Sequence, residues 1–543
     1  MAIGFALVFA AACTLAWVLT PAVRRVAARL GLVDRPDGHR KLHGREIPLG
    51  GGAAVFLATA AVLAPLFLLP NPWIAALKPT DQSDRFALLL AAAVIVLLGL
   101  VDDRLQLRGR QKLLGQLIAI TILVSSGLVI ESFALFGQKI DLGLLALPFT
   151  YFWLLGAINS VNLLDGIDGL ATMLGILLVG TFAVLAALTG RLEVALVAVA
   201  FAGALVGFFR YNFPPASVFL GDAGSMLIGL VVGTLAIQGS LKGPGTVLLA
   251  APLAVWTIPI FDSAAAILRR RLTGRSIYTT DRAHIHHRLL DRFGNSRKVL
   301  GVVAAASAVT SSAAMACVFL NSDLLALASF VGVIGVLVAT GLFGRGEFEL
   351  VARRVRRLVR SLITPGKPHA QAACESAVTL QGSGQWEDLW RWLTQSTAEL
   401  ALAQVHLDVN LPIEHEEFNA VWESQPPVPP HKCWRLELPL VVNNQPAGRL
   451  TVLGLPNGRS ACEEVGQLLE LLGPIERKLR DSPHQETGQV QAASGDGAGY
   501  SEKLGQPVHP GQPAEESPQP VHVEADHETP EAKMAGTLGF NDA

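Results

Sequence analysis

The feature that most limits what this chain can fold into is its series of long apolar runs. A membrane crossing needs about 20 apolar helical residues, and eleven runs come close to that length. They cover residues 2–20, 52–70, 86–101, 113–130, 143–158, 169–189, 192–209, 224–239, 245–268, 299–320 and 323–343. Only 16% of the residues are charged, whereas soluble domains carry about 25%. We therefore predict an all-α polytopic membrane protein with about 11 transmembrane helices.

The Lys and Arg residues between the runs predict the orientation, because cytoplasmic loops carry an excess of them. The loops at 21–51, 102–112, 159–168, 210–223 and 269–298 hold 21 Lys and Arg, and the alternate loops hold five. The N-terminus is then outside, and everything after residue 344 is cytoplasmic. The histidines of this part of the chain all fall in the cytoplasmic set, which predicts polar chemistry at that face.

Asp102 and Asp103 are adjacent carboxylates at the end of the third run. Two such groups near a lipid boundary repel each other and are costly to desolvate. A divalent cation would relieve both costs, and Mg²⁺ prefers one or two carboxylates together with substrate phosphates. The alternative is an ordinary solvated helix end.

Asn159, Asn162, Asp165 and Asp168 recur every three residues in NSVNLLDGIDG. On a helical path this spacing keeps the four side chains near one face. Two amides and two carboxylates in such a stripe suit hydrogen bonding to a polar ligand or support of a metal. A polar loop that closes a helical hairpin is the alternative, and it explains the register poorly.

Asp222 stands between glycines in FLGDAGS, just before the eighth run. Backbone N–H groups and the helix dipole favour phosphate at a helix N-terminus, and the carboxylate could hold a metal that neutralises that phosphate. An N-cap explains the same residue equally well.

Three histidines, His284, His286 and His287, are followed by Arg288 in DRAHIHHR. Zinc would need further ligands, and no cysteine is near. The arginines favour a diphosphate or sugar phosphate instead, with a solvated basic loop as the alternative. In the first cytoplasmic loop, Arg40 and Lys41 add cations before a run of three glycines.

Asp262 lies several residues inside the ninth run. An acid within a membrane span is a functional candidate by default. It is equally plausible as a hydrogen bonder that orients its helix.

These segments, in this order and on one face, resemble the polyprenyl-phosphate N-acetylhexosamine-1-phosphate transferase superfamily. The resemblance covers about residues 1–320 and rests on VDDR, NSVNLLDGIDGLA, FLGDAGS and DRAHIHHRL together. It implies an eleven-span fold in the bacterial cytoplasmic membrane, with the active site facing the cytoplasm. It also implies that a UDP-linked amino sugar gives its sugar 1-phosphate to a polyprenyl phosphate, releasing UMP, with Mg²⁺ or Mn²⁺ as cofactor.

Carried over by position, the resemblance implies roles for individual residues. Catalytic roles fall on Asp102, Asp103, Asp165 and Asp168, and metal binding on Asp102, Asp103 and Asp222. Substrate contacts fall on Arg40, Lys41, Lys112, Asn159, Asn162, Asp262, His284, His286, His287 and Arg288. Direct attack by the lipid phosphate, with Asp102 as the base, and a covalent phospho-enzyme both remain open, and we favour the first.

Within this superfamily, Ile285 interrupts the three histidines that are consecutive in the peptidoglycan branch, which uses UDP-MurNAc-pentapeptide. The resemblance is therefore to the branch that uses UDP-GlcNAc and starts O-antigen, teichoic acid or other surface polymers. Another UDP-HexNAc donor is the main alternative within that branch, and the peptidoglycan branch is the alternative outside it. Two other classes stay open from the residues alone. One is an ion-coupled transporter, and the other is a membrane-tethered sensor.

Four parts are predicted along the chain. Residues 1–344 form the transferase domain, 345–384 a basic juxtamembrane helix and linker, 385–481 a small cytoplasmic α+β module that faintly resembles a GAF domain, and 482–543 a disordered acidic tail. The five tryptophans at 386, 390, 392, 422 and 434 are interpreted as core. We expect the chain to bind the bilayer and no nucleic acid, and the module to bind an unidentified protein partner. A homodimer is left open.

Overall fold

A computed structural model describes most of the chain. The described residues are 1–35, 46–69, 82–239, 241–243, 246–248, 250–272, 284–320, 322–363, 374–381, 385–396, 402–411, 416–424, 433–442, 445–455 and 465–469. The predicted tail at 482–543 lies outside them. The same is true of Arg40 and Lys41.

Helices make up nearly all of the first 363 residues. They are α1 (Ala2–Arg29), α2 (Gly51–Leu68), α3 (Gln82–Leu105), α4 (Gly109–Ser125), α5 (Ala146–Leu164), α6 (Leu170–Leu188), α7 (Leu192–Asn212), α8 (Gly221–Gly239), α9 (Ala250–Val255), α10 (Thr257–Leu272), α11 (Ile285–Phe293), α12 (Ser296–Leu320), α13 (Asp323–Ala339) and α14 (Arg345–Ile363). Short strands β1 (Val33–Asp34) and β2 (Ile47–Pro48) pair beside α2.

Eight helices in the described part of the chain are long and apolar enough to cross a membrane. They coincide with eight of the eleven predicted runs. The runs at 113–130 and 323–343 form α4 and α13, which have 17 residues each and fall just short of that length.

The run at 245–268 differs from the prediction of one continuous helix. Its first residues lie in a strand, and the rest is divided into α9 and α10 around Trp256. Pro259 gives the physical reason, because proline has no N–H to donate and its ring clashes with the carbonyl four residues earlier. A mean apolar character over 24 residues does not reveal such a break.

Helix α8 lies at the centre of the bundle and packs against α2, α3, α5 and α6. Small residues make these contacts close, as is usual between membrane helices. A Cβ added to Gly229 would lie 2.5 Å from the Cα of Ile158 on α5, and one added to Gly99 on α3 would lie 2.2 Å from the Cα of Ala223. The ends of these helices are therefore drawn together.

A four-stranded sheet lies at the opposite end of the bundle from the N-termini of α4 and α8. It contains β3 (Ser132–Leu135), β4 (Gln138–Asp141), β5 (Leu241–Gly243) and β6 (Thr246–Leu248), in the order β4-β3-β6-β5. The sequence analysis did not predict these strands, because each has only three or four residues.

The C-terminal module is a five-stranded antiparallel sheet with a helix on one face. It comprises β7 (Cys374–Gln381), α15 (Gln385–Ser396), β8 (Leu402–Leu411), β9 (Glu416–Glu423), β10 (Trp434–Val442) and β11 (Gln445–Gly454), with strand order β10-β11-β8-β9-β7. The prediction of a small α+β module in this region is confirmed, but β7 begins before its predicted start at residue 385.

The core of this module is formed by α15 and the sheet face beneath it. Trp386 and Trp390 are buried there with Leu407 and Phe418. The other three tryptophans of the module pack against the same cluster. Their interpretation as core residues is thus confirmed.

Candidate active site

Four helix ends meet at one end of the bundle, and each brings a polar side chain. Asp102 and Asp103 lie in the last turn of α3, Lys112 in the first turns of α4, Asn162 in the last turn of α5, and Asp222 in the first turn of α8. Helices α4 and α8 present their N-termini, where unpaired N–H groups favour anions.

Lys112 is the centre of this group. Its ammonium lies 2.8 Å from Asp102 Oδ2, 2.7 Å from Asp222 Oδ2 and 3.1 Å from Asn162 Oδ1. The amide of Asn162 in turn donates to Asp222 Oδ1 at 2.7 Å and to Ser225 at 2.9 Å. We call Asp102, Lys112, Asn162 and Asp222 the lysine cluster. It joins residues up to 120 positions apart in the chain.

Asp103 binds the backbone of α8 instead of Lys112. Its Oδ1 accepts the N–H of Asp222 at 2.9 Å, while its Oδ2 is buried without a hydrogen-bond partner among the described residues. Gly221 makes this contact possible: its φ is +73°, and a Cβ there would lie 2.6 Å from Asp103 Oδ2. Only glycine meets both requirements without strain.

The glycine run before α2 packs against the same loop. Gly51 and Gly52 donate to the carbonyls of Phe219 and Leu220 at 3.0 and 2.9 Å, and a Cβ on Gly52 would lie 2.2 Å from the nitrogen of Gly224. These glycines therefore hold the loop before Asp222 in place by close packing.

Asn159 and Asn162 share one face of α5, as their spacing predicted, but they have different partners. Asn159 exchanges hydrogen bonds with Gln116 of α4, at 3.0 and 3.3 Å. Gln116 is buried, and the sequence analysis missed it, because a single glutamine in an apolar run gives no pattern.

The helical path of the stripe ends at Leu164, so its last two members lie in the following loop. Asp168 accepts the N–H of Ala216 at 2.8 Å, which anchors the loop before α8. The carboxyl group of Asp165 has acidic neighbours: burial, and then the charges of Asp222 and Asp103, raise the pKa of Asp165 well above its usual range. Asp165 thus lies beside the lysine cluster, whereas Asp168 binds backbone.

The histidine segment forms the start of α11, and Asp262 of α10 holds it there. Asp262 is completely buried; its Oδ2 lies 2.8 Å from His284 Nδ1, and its Oδ1 accepts the N–H of Ile285 at 2.7 Å. Asp262 was predicted as a substrate contact. In the structure it hydrogen-bonds the N-terminus of α11, and its role as a substrate contact stays a prediction.

His286 connects this helix to the Asp165 loop. A Cβ on Gly166 would lie 2.0 Å from His286 Nε2, so the ring lies directly on the backbone between the two acids. Both ring nitrogens are buried and have no hydrogen-bond partner among the described residues. Burial, followed by His287 and His284, lowers the pKa of His286 well below 6.5, so the ring is neutral and can accept as well as donate.

Arg288 contacts two residues that follow the last apolar helix. Its guanidinium lies 3.8 Å from Glu347 of α14 and over the ring of Phe343. Of the described residues that the sequence predicted as substrate contacts, Lys112 and Asn162 belong to the lysine cluster, and Asn159 binds Gln116 beside it. The other five lie in or around α11: Asp262, His284, His286, His287 and Arg288.

The donor groups of the lysine cluster fit a hard divalent cation. Asp102 and Asp222 converge on one ammonium, and Asp103 Oδ2 is a buried carboxylate oxygen without a hydrogen-bond partner in the described part of the chain. Mg²⁺ takes such oxygen ligands. No group of three or more His, Cys, Asp or Glu side chains within the described ranges is arranged to hold a metal ion. The fit rests on the pair Asp102 and Asp222, with Asp103 beside them.

A polar site of carboxylates, amides and one lysine, at one end of a bundle of membrane-length helices, defines a membrane-embedded enzyme. The family model for glycosyl transferase family 4 matches residues 85–240, a range that includes every member of the lysine cluster. The chain belongs to this family.

Curated relatives extend the match beyond that range. The "Probable undecaprenyl-phosphate N-acetylglucosaminyl 1-phosphate transferase" of Bacillus subtilis (strain 168) is 34% identical over 52% of this chain and 76% of the relative. "Decaprenyl-phosphate N-acetylglucosaminephosphotransferase" of Mycobacterium tuberculosis (strain ATCC 25618 / H37Rv) is 31% identical over 58% and 83%. "Phospho-N-acetylmuramoyl-pentapeptide-transferase" of Enterococcus hirae is 34% identical over 43% and 74%.

Proposed function

We propose that this chain transfers N-acetylglucosamine 1-phosphate from UDP-GlcNAc to a membrane polyprenyl phosphate, releasing UMP. The lipid diphosphate sugar that forms would start a cell-surface polysaccharide. The observation that carries the proposal is the lysine cluster, which lies inside the range matched by glycosyl transferase family 4 and at the ends of membrane-length helices. A water-soluble nucleotide sugar and a lipid phosphate can meet only at such a boundary.

In this reaction an oxygen of the lipid phosphate attacks the phosphorus that bears the sugar. A new P–O bond forms, and the bond between the two phosphates of the donor breaks, so UMP leaves with the bonding electrons. Phosphoryl transfer asks the protein mainly for positioning and for stabilisation of charge. Lys112 and the N-termini of α4 and α8 supply positive potential, and Asp102 is the proposed base that removes a proton from the lipid phosphate.

Mg²⁺, or Mn²⁺ in its place, is the proposed cofactor. Asp102 and Asp222 would hold it, with Asp103 beside them, and it would stabilise the negative charge of the diphosphate. Lys112, which otherwise neutralises the two carboxylates, would then be available to a phosphate oxygen. Asn162 keeps Asp222 oriented through its 2.7 Å hydrogen bond.

The neutral His286 and the adjacent His284 are proposed to contact the sugar diphosphate. Their helix lies against Gly166 of the Asp165 loop, which brings them close to the acids. Ile285, which interrupts the histidines, supports the GlcNAc donor over UDP-MurNAc-pentapeptide, although relatives of both kinds match at similar identity.

The proposed location is the bacterial cytoplasmic membrane, with the lysine cluster on the cytoplasmic side and the N-terminus outside. The excess of Lys and Arg in the loops at this end of the bundle supports that orientation. Labelling of single cysteines placed at Gly109 and at Gly137 in intact cells would test it. We expect only the Gly137 position, in the loop between β3 and β4, to react with an impermeant reagent.

The deciding experiment measures UMP release by the purified full-length chain in lipid nanodiscs. UDP-GlcNAc, UDP-GalNAc and UDP-MurNAc-pentapeptide are offered in turn, with and without undecaprenyl phosphate and MgCl₂. We expect UMP from UDP-GlcNAc alone, only when both lipid phosphate and Mg²⁺ are present.

The matched variants are Asp103→Asn and Asp141→Asn. Asp141 lies on the exposed strand β4 and pairs only with Lys139 in the described structure, so its change should leave activity unaltered. Full activity of Asp103→Asn would refute the site. UMP release only from the pentapeptide donor would refute the sugar assignment, and the absence of UMP with every donor would favour the transporter or sensor classes.

A further inference from the structure

A buried group of charges joins the histidine helix α11 to α14, the helix that follows the last apolar helix. Arg269 at the end of α10 is completely buried, and its guanidinium pairs with Glu347 of α14. Arg288 of α11 lies 3.8 Å from the same carboxylate oxygen of Glu347. A buried carboxylate shared by two arginines is firmly held, because its movement would leave buried charges without compensation.

Phe343 gives Arg288 a second fixed contact. The guanidinium carbon of Arg288 lies 5.8 Å from the centroid of the Phe343 ring, which is a cation–π arrangement. Phe343 is completely buried and packs edge-on against Phe261 at 5.3 Å. Phe261 is the neighbour of Asp262, which holds the first turn of α11. Helix α11 is therefore fixed from both sides of its histidines.

The C-terminal sheet reaches the same group. Glu417 of β9 is buried, and its Oε2 lies 3.8 Å from Arg269 Nε. The charges of the two parts of the chain are complementary: residues 1–360 carry a net charge of +13, and residues 361–481, which include the sheet, carry −6. Such complementarity fixes the register of an interface more than it adds affinity.

We propose that Glu347 is a positioning residue for binding of the nucleotide sugar. Through Arg288 it sets the place of α11 and its histidines, and through Arg269 it ties that place to the sheet module. The proposal rests on the proposed function, which assigns the histidines to the donor. The described contacts of Glu347 do not include the lysine cluster, so binding of the lipid phosphate should not depend on it.

The test compares Glu347→Gln with Glu349→Gln. Glu349 lies on the same helix, but its side chain is 43% exposed and pairs with Arg345 at 3.6 Å. Glu349→Gln therefore makes the same chemical change as Glu347→Gln without disturbing the buried pairs with Arg269 and Arg288. The KM of each substrate is measured by UMP release, and the Kd of UDP-GlcNAc by calorimetry. We expect Glu347→Gln to raise the donor KM and Kd about 3- to 30-fold, the range for residues that act through others. The KM of undecaprenyl phosphate should stay unchanged, as should every constant of Glu349→Gln.

A merely structural role would give a different result. Loss of folded protein lowers kcat and leaves both KM values as they were, and that outcome overturns the proposal. Phe343→Leu keeps every charge and removes only the ring under Arg288, so it provides the test if Glu347→Gln does not fold. We expect a smaller rise in donor KM from it.

Glu417→Gln tests the link to the module, and a rise in donor KM is again expected. An unchanged donor KM in this variant would remove the module from the proposal. Wild-type protein that releases no UMP refutes the proposed function. Active wild type, with Glu347→Gln and Phe343→Leu both at wild-type donor KM and Kd, refutes only the positioning role.

Discussion

Replacing Lys112 by methionine removes the one charge that the described structure places between Asp102 and Asp222. The methionine keeps most of the side-chain volume, so the change is mainly electrostatic. Asp102 and Asp222 then face each other without the ammonium that now lies 2.8 and 2.7 Å from them. Asn162 also loses a donor to its carbonyl oxygen.

The expected loss of stability follows from burial. Removing one partner of a fully buried ion pair costs about 3–5 kcal/mol. The Lys112 side chain is 18% exposed and that of Asp222 is 35% exposed, so solvent screens part of the effect, and we expect about 2–3 kcal/mol. At about 2 °C per kcal/mol for a chain of this size, Tm should fall by about 4–6 °C.

Thermal unfolding of the purified protein, in a chelator and then in MgCl₂, measures both the loss and its repair. A cation that binds between the carboxylates stabilises the folded state, so Mg²⁺ should raise Tm more in Lys112→Met than in wild type. Lys139→Met is the matched control, because Lys139 pairs with Asp141 at a similar 2.9 Å but both side chains are exposed. Its Tm should hardly change.

The reasoning fails if Lys112→Met melts at the wild-type temperature in chelator. It also fails if Mg²⁺ shifts the two proteins equally, because the ammonium would then not stand in for a cation. UMP release should fall sharply in Lys112→Met in either case, so activity alone does not decide the question.

Two further predictions concern the same end of the bundle. Because the pKa of Asp165 is raised in the folded state, ionisation of this group destabilises the folded protein as pH rises. The Tm of Asp165→Asn minus that of wild type should therefore be larger at pH 8 than at pH 5. The same Tm difference at both pH values would contradict this. Gly221→Ala should lose activity and stability, because the φ of Gly221 is +73° and an added Cβ would contact Asp103. Gly109→Ala is the control and should lose neither, because a Cβ there has no neighbour within 4 Å. Unfolding curves and UMP release are measured for both variants.

Much of the membrane part could be predicted from sequence because apolar length and charge are local properties. The spans predicted at 2–20 and 224–239 correspond to α1 and α8. The break in the run at 245–268 could not be predicted in this way, because Pro259 interrupts the helix while the mean hydropathy of the run stays high. The four-stranded sheet is joined through the pairing of β3 with β6, which lie more than 100 positions apart, and no local pattern reveals that pairing.

The site shows the same division. Spacing placed Asn159 and Asn162 on one face of α5, but it did not show that α5 ends before Asp165, because the glycines there permit helix and loop alike. Gln116, which holds Asn159, had no signal at all. The charge of Asp262 within an apolar run identified it as a candidate in the sequence. Its pairing with His284 is evident only from the structure, in which α10 packs beside the N-terminus of α11.

The balance of charge among the described residues of the site favours binding of a further cation. Around the lysine cluster, the described residues bring the carboxylates of Asp102, Asp103, Asp165 and Asp222 together with the ammonium of Lys112. A diphosphate donor and a lipid phosphate would add further negative charge, and repulsion between such charges is strong where water is partly excluded. The raised pKa of Asp165 favours its protonated form, which makes it a poor ligand for a cation. Binding of a divalent ion should therefore depend on Asp222, which shares the ammonium of Lys112 with Asp102, more than on Asp165.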